Sequence, residues 1–530
     1  MSISRVIVKN YRCLKAADVI LNPDLNIIVG NNESGKSTLL EAIHLALCGQ
    51  LNGRAIQTEL HPYLFNANTV AVYIAALLDK KAVAPPVILI ELYFRDESAL
   101  AKLKGINNSL GADLPGVALS IEFNQEYAEE FKTYVADPAL IRTLPIEYYV
   151  VKWRSFADNE ITARAIPIKP AFIDASTIRN NAAASRYVVD ILRDSLSKAQ
   201  KVDLALSYRM MKDAFMDDAK VKGINEALAK KTGDVSDKAL SVCLDNSSRS
   251  SWESGVMPHL DDLPLPLVGK GEQNVIKIKL AMESSADSHL ILVEEPENHL
   301  SFSHLNTLIS HISERRGDRQ LVITTHSSFV LNKLGVESVI LFYRGSSIRL
   351  NALTAGTQDY FMRLPGHDTL RLILAKRSIL VEGPSDELIV QAAFNKQHNK
   401  MPLDAGVDVI SVNSLAFKRF LEIAVLLDRT VAVVTDNDGK VDALAAKYAD
   451  YVGKPKISIH YDHDGSFPTL EPQLLKANGR AAIEKILGKD FASDAELLAY
   501  MMSNKADTAL KFFKTEEPWV VPEYILNAVS

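Results

Sequence analysis

The chain has 530 residues, 47% hydrophobic and 23% charged, which suits a globular protein of two to four domains. Its three cysteines, Cys13, Cys48 and Cys243, lie far apart without a CxxC pair; this excludes a disulfide framework and a structural zinc site and suits a reducing cytoplasm. The opening MSISRVIVKNYRC has no signal-peptide core, no segment is apolar enough to span a membrane, and a net charge of −6 means that a nucleic-acid partner would need a local basic groove.

In chain order, residues 3–9, 18–21 and 25–29 alternate as strands. The run LNIIVG then enters a glycine-containing loop and the helix SGKSTLLEAIHLAL. Residues 87–94, 118–123 and 146–152 read as further strands. From about Ala183 to Val242 the pattern is helical and strands are absent. Apolar strands return at HLILVEEPE (289–297) and QLVITTHS (320–327). This reads as one α/β domain, 1–182 and 246–355, split by a helical insertion, 183–245. After the stretch 355–376 the alternation tightens, and 375–530 is expected to be a second domain. There the strands RSILVEG (377–383), VDVISV (407–412) and TVAVVTD (430–436) are separated by helices, which implies a parallel sheet with right-handed crossovers.

Residues Gly30, Asn31, Asn32, Glu33, Ser34, Gly35, Lys36, Ser37 and Thr38 fit GxxxxGK[ST] followed by Thr, between a strand and a helix. Backbone N–H groups of such a loop wrap phosphates at the positive end of a helix. Lys36 is expected to reach the β- and γ-phosphates of ATP, and the Ser37 hydroxyl to help hold Mg²⁺. In LILVEEPENHL, Glu294 and Glu295 follow an apolar strand; Glu294 is assigned to the metal and Glu295 to the attacking water. His326, just past the next strand, is assigned as a γ-phosphate sensor. An acidic turn and a structural histidine are the plainer readings, and the glycine-rich loop weighs against them.

Together VKNYRCL, GNNESGKST, EEPENHL and TTHS resemble the ABC-type ATPase heads of the SMC and RecF-like group. The resemblance implies a homo-oligomer in which two heads sandwich ATP, with a signature loop of one head meeting the γ-phosphate on the other. That signature is LSGGE/Q, and here the chain reads Val268-Gly269-Lys270-Gly271-Glu272-Gln273. Gly269 stands in place of the serine and Lys270 in place of the first glycine, so Lys270 and the Gly271 backbone are assigned the contact. A loop entering a helix is the alternative.

A second acidic set lies in the last third. Glu382 ends one strand, Asp386 follows on the first helical turn, and Asp436 and Asp438 end the next strand but one, in VVTDNDGK. In a parallel sheet these acids emerge at one carboxyl edge, where α/β proteins place their sites. Hard oxygen ligands without histidine or thiolate suit Mg²⁺ or Mn²⁺; DND by itself is equally a polar turn.

The pattern hhhEGxxD followed by DxD resembles the TOPRIM domain, and an ABC-type head followed by TOPRIM resembles the OLD (overcoming lysogenization defect) family of ATP-dependent nucleases. The resemblance adds Glu471 and Lys505. It implies that Glu382 is a metal ligand and base, that Asp386, Asp436, Asp438 and Glu471 complete one or two metal sites, and that Lys505 stabilises charge on the scissile phosphate. It implies a DNA endonuclease with ATPase activity, linked to anti-phage defence, acting alone or with a helicase or a retron reverse transcriptase and its RNA–DNA product. It also gives the insertion the look of a dimerisation arm. A topoisomerase would need a DNA-gate domain for which no length remains, and a primase would usually bring a zinc module. The remaining alternative is an ATP-switched DNA clamp or sensor with an inactive TOPRIM domain.

Overall fold

The computed structural model describes residues 1–530 except 82, 137–140, 175–188, 190–192, 194–195, 231–237, 246, 248–250, 285–287, 344, 351–352, 364–368 and 413–415. The expected start of the insertion at Ala183 lies outside the described residues. Backbone contacts divide the chain into two compact units: Met1–Tyr11, Pro23–Leu25 and Ser37–Thr324 form the first, and Arg12–Asn22, Asn26–Lys36 and Thr325–Ser530 the second.

In the first unit, the strands Ile3–Tyr11, Ile88–Phe94, Leu114–Phe123 and Tyr149–Ser155 run antiparallel, with Val6 opposite Leu92, Leu92 opposite Val117 and Val117 opposite Ser155. Three further strands, Pro170–Asp174, Leu290–Glu294 and Gln320–Thr324, are parallel. The last two are buried at every position, as befits parallel strands covered on both faces. Their register aligns Asp174, Glu294 and Thr324 at one carboxyl end. Within the stretch 183–245, helices Lys198–Asp217 and Ala219–Ala229 form, but the expected helical pattern does not reach Val242: residues 238–245 are not helical. Ser197 caps the first: its hydroxyl accepts the Gln200 N–H at 3.2 Å, and the Gln200 side chain accepts the Ser197 N–H at 2.8 Å.

In the second unit, Leu25–Val29 contributes Ile27, Ile28 and Val29, which pair parallel with Val339–Tyr343. That strand also pairs antiparallel with Ser346–Arg349. A separate four-stranded parallel sheet has the order Val407–Ser411, Arg377–Val381, Thr430–Val434, Ile457–His460. The strand leading to Asp436 is therefore the direct neighbour of the strand leading to Glu382, with Leu380 opposite Val433. The edge strand Ile457–His460 is not expected from the sequence; it has only four residues and none is fully buried, so it lacks an apolar signature.

The helix Pro384–His398 and the C-terminal helices Leu470–Asn478, Arg480–Leu487, Asp494–Ser503, Lys505–Lys514 and Glu523–Val529 share one core with this sheet. Ile379, Val381, Ile389, Val390, Leu474, Leu497, Phe512 and Ile525 fill it. Each such side chain contributes about 1.5–3 kcal/mol by leaving water. Burial of this core fixes the first turns of helices 384–398, 470–478 and 505–514, and those turns carry the candidate site residues. The stretch 355–376 contains helices Ala355–Arg363 and Thr369–Leu374. Thr354 and Thr357 donate to the Glu422 carboxylate, Thr354 Oγ1 at 3.0 Å, and Arg371 Nε donates to Asp408 at 3.0 Å. Among the described residues, no helix is long and apolar enough to cross a membrane.

Candidate functional site

The glycine-rich loop leaves a fully buried strand and enters helix Lys36–Cys48. A Cβ at Gly30 would come within 2.2 Å of the Phe342 carbonyl oxygen, so glycine there lets the loop pass against the neighbouring strand. Gly35 has φ +99°, and a Cβ on it would meet Leu14 at 2.6 Å. Lys36 is buried, with Nζ donating to the carbonyls of Gly30 at 3.0 Å and Asn31 at 3.2 Å. Its ammonium thus lies within the curl of the loop, where a phosphate binds. Ser34 is buried as well, while Asn31, Asn32, Glu33 and Ser37 are exposed and Thr38 is half-buried. His326 sits in the same unit. Its neighbour Thr325 donates to the Ile28 carbonyl at 3.2 Å, two residues before Gly30, which ties the histidine's loop to the strand that carries the phosphate loop.

In the first unit, Glu294 is the buried last residue of its strand. Glu295 follows in the left-handed region at φ 43°, a strained geometry for a residue with a Cβ. Its N–H donates to the Thr324 carbonyl at 2.9 Å, and Asn298 Nδ2 donates to its carboxylate at 2.9 Å. The signature helix Lys270–Ser284 begins beside this turn. Asn274 Nδ2 donates to the Asn298 carbonyl at 3.0 Å, and a Cβ on Gly271 would come within 2.4 Å of the His299 carbonyl oxygen. Gly271 is thus required for close packing, whereas Gly269 faces open space and Lys270 is exposed.

The second acidic set is assembled by the parallel sheet. Glu382 leaves strand Arg377–Val381, and its Oε1 accepts from Thr435 Oγ1 at 2.6 Å and from the Asp436 N–H at 3.0 Å. Two hydrogen bonds across adjacent strands thereby fix the carboxylate beside Asp436. Asp386 accepts the Gly383 N–H at 3.0 Å, a cap on the first turn of its helix. Burial, and then the Glu382 charge, push the Asp386 carboxyl up to about 6. Asp436 is pushed up to about 8, first by burial, then by Asp386, Glu382 and Glu471, with Lys505 acting in the opposite sense. Glu471 is buried on the first turn of its helix, accepts from Thr469 Oγ1 at 3.1 Å and pairs with the exposed Lys505 at 3.4 Å.

Four predicted carboxylates and the lysine therefore act on one another electrostatically. Asp438 stands outside this set: it is exposed, at φ 49°, and its N–H donates to the Pro468 carbonyl at 3.0 Å. Among the described residues, no three His, Cys, Asp or Glu side chains converge as a ready-made metal cage. The donor chemistry nonetheless fits a hard divalent cation. The atoms are all carboxylate oxygens, and their burial together leaves negative charge that Lys505 alone does not balance. Sequence reasoning misses Thr435, which immediately precedes the aspartates and holds Glu382; a hydroxyl at a strand end carries no motif by itself.

Residues 1–76 match the family described as AAA ATPase domain, and residues 373–438 match the family described as overcoming lysogenization defect protein-like, TOPRIM domain. Residues 206–332 match the family described as "AAA domain, putative AbiEii toxin, Type IV TA system". The chain is 20% identical over 476 residues to the endonuclease GajA of Bacillus cereus (strain VD045), covering 83% of this chain and 75% of that protein. It is 44% identical over 64 residues to the DNA replication and repair protein RecF of Vibrio vulnificus (strain YJ016), or 11% of this chain. That match spans 18% of the RecF protein's length. The C-terminal region of the Burkholderia pseudomallei OLD protein superposes loosely, at TM-score 0.25 and 18% identity, covering 29% of this chain and 95% of that one. The chain joins an ABC-type, RecF-like ATPase head with helical insertions to a TOPRIM domain and is related to the OLD nuclease family.

Proposed function

We propose that the protein is a metal-dependent DNA endonuclease that cuts phosphodiester bonds at its TOPRIM site under the control of ATP bound to the head. The observation that carries this reading is the pairing of Glu382 with Asp436 at the carboxyl edge of the parallel sheet, among Asp386 and Glu471. Glu382, Asp386, Asp436 and Glu471 would hold one or two Mg²⁺ or Mn²⁺ ions, and Asp438 would join them from the exposed side of the turn. Bound metal would supply Lewis-acid stabilisation of the phosphate and a lowered pKa for water. Thr435 and the Asp436 N–H hold the Glu382 carboxylate in place beside Asp436, so it serves as ligand and as base. Lys505 is drawn toward the site by Glu471 and supplies positive charge to the scissile phosphate as its charge grows.

In the head, Gly30–Thr38 would cradle ATP, with Ser37 and Glu294 on its Mg²⁺, Glu295 orienting water and His326 sensing the γ-phosphate. Lys270 and Gly271 would meet the nucleotide of a second copy, which makes the working form at least a dimer. The domain limits 1–182, 183–245, 246–355 and 375–530 belong to this reading. So do a role in anti-phage defence and a helicase or retron partner, which rest on the family resemblance.

Incubating supercoiled plasmid with Mg²⁺ or Mn²⁺, with and without ATP, tests the reading. Nicked or linear product that disappears in Asp436→Ala is expected. Relaxed closed circles would instead mark a topoisomerase. Intact plasmid retained on filters only with ATP would mark a clamp and overturn the nuclease reading.

A further inference from the structure

Between the two aspartates stands Asn437, a residue that sequence reasoning passes over. It is 2% exposed. Its Nδ2 donates toward the carbonyl oxygens of Asp462 at 2.8 Å, Asp464 at 3.1 Å and Phe467 at 3.3 Å, and its Oδ1 accepts the Gly439 N–H at 2.8 Å. A primary amide has two hydrogens, so three carbonyls share them. These carbonyls belong to one loop, 462–468, which runs from the edge strand to the helix bearing Glu471.

The same loop is held from the other side. Gln473 Nε2 donates to the Phe467 carbonyl at 3.0 Å. Lys476 pairs with Asp462 at 2.9 Å and lies 4.6 Å over the Phe467 ring. Asp438 N–H adds a main-chain bond to Pro468 at 3.0 Å. The loop is therefore clamped between the helix 470–478 and the DND turn, and Asn437 is the side-chain clamp on the turn.

We infer that Asn437 is a positioning residue. It sets the spacing between the DND acids and Glu471, so that carboxylates from distant parts of the chain address one cation, while Asn437 itself touches neither cation nor DNA. The amide suits this task because it alone among small side chains both donates to several carbonyls and accepts from a backbone N–H. A carboxylate of the same shape would keep the Gly439 bond and set negative charge against three carbonyl oxygens. This inference rests on the nuclease reading of the same site.

The test is a Mn²⁺ titration of the full chain without nucleotide, followed by the loss of the free-ion EPR signal. In Asn437→Ala the affinity should fall at least tenfold, with ATP binding unchanged. In that background Glu471→Ala should cost little more, whereas in the wild type it should cost severalfold. Wild-type Mn²⁺ affinity in Asn437→Ala overturns the inference. Should Asn437→Ala lose ATP binding along with its fold, the isosteric Asn437→Asp carries the test: a folded protein with weakened Mn²⁺ binding supports positioning, and an unfolded one reduces Asn437 to a purely structural part. Wild-type protein whose Mn²⁺ binding is absent, or is indifferent to Asp436→Ala, would overturn the nuclease reading and this inference with it.

Discussion

At Asp436 two effects oppose ionisation: burial, and the charges of Asp386, Glu382 and Glu471. Its carboxyl stands at about 8 in the fold against an ordinary 3.8. A raised value means that the fold favours the neutral acid. The cost of ionisation is absent below about pH 4, where both states are protonated, and it grows until the pH passes about 8, by at most about 1.4 kcal/mol per pH unit. In metal-free buffer, Asp436→Asn should therefore melt several degrees above the wild type at pH 8.5, and the two melting curves should converge near pH 4. Equal melting temperatures across that range would show that the cluster carries no electrostatic strain. Metal binding should release protons for the same reason, so Mn²⁺ affinity should rise between pH 6 and 8. The sequence discloses four of the acids by type and spacing, and the family resemblance adds Glu471. It does not disclose Thr435 and Asn437 as the groups that hold them, because a hydroxyl or an amide acquires meaning only from what folds against it.

Elements built around glycine differ in how strictly they need it. Gly30 and Gly35 serve a loop in which a Cβ collides with the Phe342 carbonyl or with Leu14, and Gly35 also has φ +99°. Gly383 looks equivalent in the motif EGPSD, but its backbone is extended, at φ −151°, and a Cβ there would meet only Asp386 Oδ2, at 3.6 Å. Gly35→Ala should lose binding of a fluorescent ATP analogue, and Gly30→Ala should cost about 1–3 kcal/mol in denaturant melts. Gly383→Ala should cost under about 1 kcal/mol and keep its Mn²⁺ affinity; a loss of Mn²⁺ binding there would mean that the close approach of a ligand, rather than backbone geometry, selects the glycine. Strands buried on both faces, such as Leu290–Glu294 and Thr430–Val434, announce themselves as unbroken apolar runs. The short edge strand Ile457–His460 does not, since its neighbours on one side are solvent and loop.

At the scale of the whole molecule, the nucleotide loop and the acidic set use separate ligands. Lys36→Ala should abolish ATP binding and leave nucleotide-free Mn²⁺ titration unchanged, and Asp436→Ala should do the reverse. Loss of both activities in either variant would contradict two independent sites. The sequence by itself determined the ATP-binding motif, the α/β alternation and the presence of a second acidic set, because each depends on residue types at short, fixed spacing. The tertiary structure alone decided which acids act together. It put the Asp436 strand directly beside the Glu382 strand, brought Glu471 and Lys505 into their field, and left Asp438 exposed. The order of strands in a parallel sheet is fixed by how helices of distant sequence cover its faces, and no local spacing encodes it.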